Sequence, residues 1–287
     1  MDLLQGKVVV LTGGTSGIGE ASAPKLAALG ARLVLVARDP RRAEALLKRL
    51  PSGINHTAHI ADLSSLTETK RSAQEIAASE PRIDILINNA GVMSAERQLT
   101  PDGLELTFAT NHLAYFVLTH ALLPRLLFSA PTRIINTASE VHRGAHLDLA
   151  DLQSEKRYSA YGAYGKSKLA NVLFTRELTR RLAGSGVTVN CLHPGVVASR
   201  FAQPRNGKGG NPSSASYLAR QGISPEISAQ AFVYLATSPE LAQTTGQYFN
   251  QSRLAMPSEE ARDNTVAKKL WEKSEQLAGI RYEIGQE

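Results

Sequence analysis

A tyrosine and a lysine stand four residues apart near the start of a strong helical pattern. Because residues at that spacing project from one face of a helix, Tyr164 and Lys168 are expected to lie side by side. A free phenol titrates at about pH 10, which is too high for efficient proton transfer at neutral pH. A nearby ammonium group stabilises the phenolate and lowers the pKa of the phenol. The pair is therefore suited to acid–base catalysis.

A serine completes a candidate reaction centre. Ser139 follows closely on the apolar run 134–135 and Asn136, and this run predicts a strand. The Ser139 hydroxyl is therefore expected at the carboxyl end of that strand. From there it could hydrogen-bond a substrate carbonyl.

Short apolar runs alternate with longer helical patterns, and these elements must position the three side chains. Nearly continuous apolar strands are typical of a parallel sheet that helices cover on both faces. Right-handed crossovers would bring the carboxyl ends of the strands to one edge, where ligands bind. The prediction is an α/β fold, a single-domain Rossmann-type doubly wound parallel sheet over residues 1–287. Strands are predicted at 8–11, 33–36, 83–87, 134–135 and 187–192, and helices near 18–29, 40–49, 65–79, 103–128 and 159–183.

A glycine-rich turn separates the first predicted strand from the first helix. Gly13, Gly17 and Gly19 follow the pattern G-x-x-x-G-x-G, with Ser16 and Ile18 between them. Glycines let a backbone turn tightly and approach a pyrophosphate, and a helix N-terminus offers free N–H groups to it. The position between strand and helix favours dinucleotide binding, and an ordinary turn is the alternative.

The end of the second predicted strand bears on which dinucleotide binds. Many sites have an acidic residue there, which binds the ribose 2′-hydroxyl. Ala37 stands at that position, and Arg38 follows with a guanidinium that can bind a 2′-phosphate. This favours NADP(H) over NAD(H). Two alternatives stay open: Arg38 is merely solvated, or the strand ends one residue later and Asp39 reaches the ribose.

Five motifs in this order resemble the short-chain dehydrogenase/reductase family. They are Thr12 to Gly19, Asn88-Asn89-Ala90-Gly91, Asn111, Ser139 and Tyr164-x-x-x-Lys168. Three further segments resemble the retinol-dehydrogenase-like branch. They are residues 164–171, Asn111-His112-Leu113, and the tail from Ser238-Pro239-Glu240 to Gly246-Gln247-Tyr248-Phe249.

The resemblance implies a role for each matched residue. Tyr164 would exchange a proton with the carbonyl oxygen that Ser139 orients, and Lys168 would bind the nicotinamide ribose and tune Tyr164. Asn111 would hold a water in a proton relay and distort its helix locally. The resemblance adds Asp62 and Leu63 near the adenine, Asn89, Ala90 and Gly91 beside the adenosine ribose, and Pro194, Gly195 and Val197 near the nicotinamide carboxamide, with Ser199 where a Thr is more usual.

Substrate specificity is expected in segments that vary within the family. The piece at about 147–158 is longer than in the shortest members and would reshape the substrate mouth. The irregular stretch 202–222 is either a surface loop or a flap over the site, and the variable substrate loop is placed near 200–222. A last helical pattern near 258–277 contains Trp271, which is expected to pack.

The composition excludes several classes of protein. Apolar residues make up 43% of the chain and charged residues 20%, as in a globular protein. The single cysteine, Cys191, excludes an internal disulfide and a cysteine-rich zinc module, and it suits the cytoplasm. The net charge of +6 is spread along the chain, so no nucleic-acid partner is expected. His142 and His146 are a weak metal candidate, and no metal is expected.

The sequence also lacks a predicted signal peptide or membrane anchor, whereas retinoid-active members of the branch often carry an anchor. The interpretation is a cytoplasmic NADP(H)-dependent oxidoreductase that transfers a hydride between nicotinamide and a small carbonyl or alcohol substrate. Reduction of an aldehyde or ketone is favoured. The alternatives are a dinucleotide-sensing regulator without turnover and a carbon–carbon double-bond reductase. Helices 103–128 and 159–183 resemble those that pair family members, which favours a homo-oligomer.

Overall fold

The computed structural model describes residues 3–198, 216 and 220–284, and an eight-stranded sheet lies at the centre of this part. The strands follow the spatial order β3-β2-β1-β4-β5-β6-β7-β8, and every neighbouring pair is parallel except the antiparallel pair β7–β8. This confirms the predicted doubly wound sheet. The strands are β1 (Val8–Thr12), β2 (Arg32–Ala37), β3 (Thr57–Ile60), β4 (Ile85–Asn88), β5 (Thr132–Thr137), β6 (Val187–His193), β7 (Tyr248–Asn250) and β8 (Arg253–Ala255).

Helices cover both faces of the sheet. They are α1 (Gly17–Ala28), α2 (Pro40–Leu47), α3 (Leu66–Ser79), α4 (106–128), α5 (Ala160–Arg181), α6 (Pro225–Thr237) and α7 (Asn264–Ala278). Helix α4 consists of a short α-helical piece, Leu106–Phe108, a π-helical turn, Ala109–Leu113, and a long α-helical piece, Ala114–Phe128. A 3-10 turn, Glu140–Gly144, follows β5.

Alternation along the strands builds two cores, one on each face. Val8 and Val10 of β1 pack into a cluster with α3, α4, α5 and α7. Val9 and Leu11 point to the opposite face, where they pack with α1 and α6. Because all four side chains are buried, β1 is a continuous apolar run, and this is why periodicity alone finds it.

Three strands and one helix were not predicted. Strand β3 is a sheet edge whose residues are partly exposed, and its segment Thr57–Ile60 includes a Thr and a His, so it lacks a continuous apolar run. Strands β7 and β8 have three residues each. Helix α6 begins with a capping signal that was available in the sequence, since Ser224 precedes Pro225 and accepts a hydrogen bond from Ile227 N.

The C-terminal helix begins later than the predicted 258–277. Asp263 accepts hydrogen bonds from Thr265 N at 2.7 Å and Val266 N at 3.1 Å, and this cap sets the start of α7 at Asn264. Ser199 and most of the predicted loop 200–222 lie outside the described residues. Within the described residues, no helix has the length and apolar character to cross a bilayer.

Candidate active site

The carboxyl ends of the parallel strands open on one cavity of about 830 Å³, here called the central pocket. It brings together residues that are far apart in sequence, as expected for one edge of a doubly wound sheet. Of the residues predicted as site residues, it is lined by Gly13, Ser16, Gly17, Ile18, Arg38, Asp62, Leu63, Asn89, Ala90, Gly91, Ser139, Tyr164, Lys168, Pro194, Gly195 and Val197. Gly19 and Asn111 lie behind this lining.

Tyr164 and Ser139 both line the pocket and are hydrogen-bonded to each other. Ser139 is the second residue after β5 and precedes the 3-10 turn, whereas Tyr164 lies in the second turn of α5. Burial raises the pKa of Tyr164 to about 12, and its hydrogen bond with Ser139 opposes that increase. The phenol is therefore protonated at neutral pH and able to donate a proton.

Lys168 lies one turn further along α5 and is buried. Its Nζ donates to Thr137 O at 2.9 Å and lies 5.6 Å from the centre of the Tyr164 ring. Burial lowers the pKa of Lys168 to about 7. The spacing of the two residues predicts their proximity. The expected lowering of the Tyr164 pKa by Lys168 is wrong, because burial raises the pKa of Tyr164 and lowers that of Lys168, so the two pKa values move apart.

Asn111 lies in the π-helical turn of α4, where the resemblance implies a local distortion. Its side chain accepts from Val92 N at 2.7 Å and donates to Val92 O at 2.9 Å and to Ser167 Oγ at 3.0 Å. The side chain is thus engaged with the backbone after β4 and with α5. A contact between Asn111 and a water in the pocket would have to use its backbone carbonyl.

The glycine-rich turn is packed against the ends of β1 and β4. A Cβ on Gly19 would lie 2.3 Å from Gly13 O, so only glycine fits there. The Asn89 amide donates to Thr12 O at 3.1 Å and Gly13 O at 3.4 Å. Thr12 Oγ1 accepts in turn from Asn89 N at 2.8 Å and Ala90 N at 3.0 Å. In the sequence, Thr12 is only the first residue of the glycine-rich motif. In the structure, its hydroxyl connects the ends of β1 and β4.

The rim beside β2 carries two arginines. Strand β2 ends at Ala37, and Asp39 begins α2 by accepting hydrogen bonds from Arg41 N at 2.9 Å and Arg42 N at 3.3 Å. Asp39 also pairs with the Arg42 side chain at 3.5 Å. Its carboxylate therefore serves as a helix cap. Arg38 is exposed at the pocket rim, and Arg42, which was not predicted, lines the pocket as well.

Comparison of the sequence with known proteins identifies its family. The short chain dehydrogenase family model matches residues 7–209. The chain belongs to the short-chain dehydrogenase family. Human retinol dehydrogenase 13 is 43% identical over 96% of this chain and 86% of its own length. Mouse retinol dehydrogenase 14 is 39% identical over 97% of this chain and 87% of its own length. The chain therefore lies in the retinol-dehydrogenase-like branch, and it is an oxidoreductase.

Solved structures give the same result for this short-chain dehydrogenase. An uncharacterized protein from Mycobacterium paratuberculosis matches with a TM-score of 0.76 and 32% identity, covering 97% of this chain and 96% of its own. The RhlG protein of Pseudomonas aeruginosa, in a complex with NADP, matches with a TM-score of 0.66 and 30% identity, covering 92% of this chain and 97% of its own.

Residues of the dehydrogenase fit a nicotinamide dinucleotide along the pocket. The glycine-rich turn leaves backbone exposed where a pyrophosphate would lie, next to the N-terminus of α1. At the other end, His193 lines the pocket and is largely buried, yet its Nδ1 has no hydrogen-bond partner within the described part of the chain. Burial lowers the pKa of His193 to about 4, so this histidine is neutral. An unpartnered buried nitrogen suits a polar ligand group.

The loop after β6 is held in place by Ile223, which was not predicted. Ala198 N donates to Ile223 O at 2.9 Å, and Ile223 N donates to Val196 O at 2.8 Å. Gly195 has φ +94°, and its missing Cβ leaves room for the Ile223 side chain. This anchoring aligns Pro194, Gly195 and Val197 along the pocket wall.

His142 uses both of its ring nitrogens in hydrogen bonds beside the reaction centre. Its Nε2 accepts from Ser258 N at 3.1 Å, so its Nδ1 must donate to Ser139 O, 2.6 Å away. Both ring nitrogens are therefore engaged. His146 is exposed and pairs with Glu260 at 3.0 Å. No group of three potential metal ligands occurs in residues 3–198, 216 and 220–284.

Proposed function

We propose that this chain is an NADP(H)-dependent reductase of aldehydes or ketones in which Tyr164 donates the proton. The observation that carries the proposal is the hydrogen bond between Tyr164 and Ser139. The glycine-rich turn lines the same pocket as this pair. Lys168 lies beside the phenol. A regulator that only senses a dinucleotide has no need of a phenol held against a serine in this way.

The chain's residues then act on the carbonyl oxygen. When bound, the cofactor supplies the hydride. Ser139 orients the carbonyl oxygen, and Tyr164 donates its proton to it. Lys168 stabilises the resulting phenolate, because a positive charge favours the ionised phenol.

The preference for NADP(H) is a finer part of the proposal. Ala37 contributes no carboxylate to the rim, and the carboxylate of Asp39 is occupied by the backbone of α2. Arg38 and Arg42 place positive charge where a ribose 2′-phosphate would approach. Besides RhlG, a short chain dehydrogenase of Burkholderia cenocepacia was solved in complex with NADP.

The proposed substrates are small molecules with an apolar body. Met93, Val141, Tyr161 and Val196 also line the pocket. Relatives are named retinol dehydrogenases, so retinaldehyde belongs among the compounds to test. A cytoplasmic location and a single domain over residues 1–287 remain predictions.

The deciding experiment is a screen of aldehydes, ketones and enones with NADPH and NADH in parallel. Wild-type protein is expected to oxidise NADPH with an aldehyde or ketone. Tyr164→Phe removes only the phenolic oxygen, so it should lower kcat by about 100- to 10,000-fold while NADPH still binds. Calorimetric titration of NADPH measures that binding.

Three results would contradict the proposal. A Tyr164→Phe rate within a few-fold of wild type would remove the phenol from the mechanism. Dinucleotide binding with no turnover on any compound would favour the regulator. Products saturated at a carbon–carbon bond, with the carbonyl retained, would favour the double-bond reductase.

A further inference from the structure

A buried polar chain lies behind the reaction centre, on the side away from the central pocket. It consists of Asn171 on α5, His112 in the π-helical turn of α4, and Ser274 on α7, and all three residues are fully buried. None of them lines the pocket. This series of hydrogen-bonded side chains runs from α7 to the Thr137 carbonyl group, which accepts from Lys168.

Asn171 forms the inner end of this chain. Its Nδ2 donates to Asn111 O at 2.8 Å and to Thr137 O at 3.1 Å. Thr137 O is also the acceptor for Lys168 Nζ at 2.9 Å. Because both hydrogens of Nδ2 are used, the amide is held in one orientation, and its Oδ1 faces away from the centre as an acceptor.

The partner of that acceptor is His112. Its Nδ1 lies 3.3 Å from Asn171 Oδ1, and its Nε2 lies 2.8 Å from Ser274 Oγ. Burial lowers the pKa of His112 to about 4, so the ring is neutral and carries one hydrogen. With the hydrogen on Nε2, lone pairs of Nδ1 and Oδ1 would face each other. The hydrogen therefore belongs on Nδ1, and Nε2 accepts from the Ser274 hydroxyl.

The same assignment decides the role of Ser274. Its Oγ also lies 2.8 Å from Leu270 O, the usual acceptor for a serine one turn further along a helix. The Ser274 hydroxyl has a single hydrogen, and in this arrangement Leu270 O and His112 Nε2 share it as acceptors at the same distance. The direction of donation thus runs from Ser274 through His112 and Asn171 to the two backbone carbonyls.

We propose that His112 and Asn171 are positioning residues of the reaction centre. The Nδ1–H of His112 keeps the Asn171 amide in the orientation that holds the Asn111 carbonyl and the Thr137 carbonyl, and Thr137 O is the acceptor for Lys168. If the amide turned over, its oxygen would face both carbonyl oxygens and displace them. This inference rests on the proposed function, because it explains how Lys168 is held for turnover.

Two substitutions of His112 separate positioning from packing. Phenylalanine keeps the aromatic contacts, in which the His112 ring centre lies 5.0 Å from Phe108 and 6.0 Å from Phe174, but it has no donor. Asparagine loses those contacts but can present an amide N–H near the position of Nδ1. We therefore expect His112→Phe to melt at the higher temperature of the two. We expect its kcat to be about 10- to 100-fold below wild type, with His112→Asn within a few-fold.

Ser274→Ala is the matched control, because it removes the outer end of the chain and leaves the Asn171 contact in place. Its kcat is expected to stay within a few-fold of wild type, and Asn171→Leu should lose at least as much as His112→Phe. If kcat instead follows the melting temperature, with His112→Phe faster than His112→Asn, His112 contributes only packing and the inference is wrong.

A second measurement does not depend on turnover. The ¹⁵N chemical shifts of the His112 ring distinguish the Nδ1–H tautomer from the Nε2–H tautomer, and Nδ1–H is expected. An Nε2–H ring would overturn the inference while leaving the proposed reductase intact. Conversely, a wild-type protein without turnover in the substrate screen would refute the proposed function and the positioning role with it.

Discussion

Lys168 is held by a backbone carbonyl, and within the described part of the chain it has no acidic partner. A neutral acceptor offsets little of the cost of burying an ammonium group, so its pKa falls to about 7. At neutral pH this lysine is therefore poised between its charged and neutral forms. Such a group beside a phenol is typical of a site that moves protons.

The proposed preference for NADP(H) rests mainly on the Arg38 side chain. A charge-assisted hydrogen bond contributes about 1.5–3 kcal/mol, which corresponds to roughly 10- to 150-fold in affinity. We expect the wild type to bind NADPH more tightly than NADH by at least that factor. Arg38→Ala should largely remove the difference with little change in NADH affinity.

Arg42→Ala is the control for that prediction. Because the Arg42 charge is already paired with Asp39, its loss should have the smaller effect on NADPH affinity. Dissociation constants of both cofactors for the three proteins provide the comparison. Equal or tighter binding of NADH by the wild type would show that Arg38 does not recognise the 2′-phosphate.

Among the structural elements, the glycine-rich turn is the one whose shape depends most on the absence of side chains. Gly13 has φ +68°, and a Cβ on it would lie 2.9 Å from Ala90 Cα, while a Cβ on Gly19 would meet Gly13 O. The turn is thereby pressed between α1 and the end of β4. Because these contacts involve backbone, small shifts of side chains cannot relieve them.

We expect Gly19→Ala to destabilise the protein by about 1–3 kcal/mol and to weaken NADPH binding at least tenfold. The added methyl group would force the turn away from the helix and move the N–H groups that face the pyrophosphate. Thermal unfolding and calorimetric titration measure the two effects. Gly144→Ala is the control, because a Cβ there has no atom within 4 Å. NADPH affinity equal to that of the control would contradict the prediction.

At the scale of the molecule, helix α7 covers the α4 and α5 face of the sheet. Trp271 is buried with its ring centre 4.9 Å from that of Phe116, and the Arg181 guanidinium lies 4.2 Å from the Trp271 ring centre. Tyr282 OH donates to Phe116 O at 2.6 Å. These are the helices that the family resemblance associates with pairing of subunits.

Because α7 covers this face, we expect the protein to be a monomer in solution rather than a homo-oligomer through α4 and α5. Pairing through that face would require the buried Trp271 to leave its contacts and expose apolar surface. Light scattering after size-exclusion chromatography gives the mass directly. A dimer at micromolar concentration would contradict the expectation.

The buried histidines make stability depend on pH. The pKa of His112 is about 4 in the folded protein and about 6.5 when unfolded, so between these values the unfolded chain binds more protons. The contribution of His112 is therefore complete above pH 6.5 and is lost as the pH falls towards 4. We expect a loss of about 2–3 kcal/mol from this residue between pH 7 and pH 4.5.

Urea unfolding of the wild type and of His112→Phe at both pH values isolates that contribution. The variant lacks the titrating ring, so its free energy of unfolding should fall by about 2–3 kcal/mol less than that of the wild type. Equal losses in the two proteins would show that His112 titrates normally.

Much of the sheet and of the pocket was predictable from short stretches of sequence. The apolar runs of β1, β2 and β6 are local, because each residue there is buried on one face or the other. The glycine spacing of the first turn and the four-residue offset of Tyr164 and Lys168 are local as well. In an alternating β/α pattern, the ends of the strands and the starts of the helices lie at the same edge of the sheet. The order of the elements therefore predicted that these motifs would lie close together.

The sequence by itself thus determined the fold class, the family and many, but not all, of the residues around the pocket. Only the tertiary structure decided what each polar group contacts: Asp39 caps a helix, the Asn111 side chain binds Val92 and Ser167, and His112 reaches Ser274 on a distant helix. The directions of the pKa shifts of Tyr164 and Lys168 were decided there too. The physical reason is that periodicity and spacing depend on neighbours in the chain, whereas burial and hydrogen-bond partners depend on segments that meet only after folding.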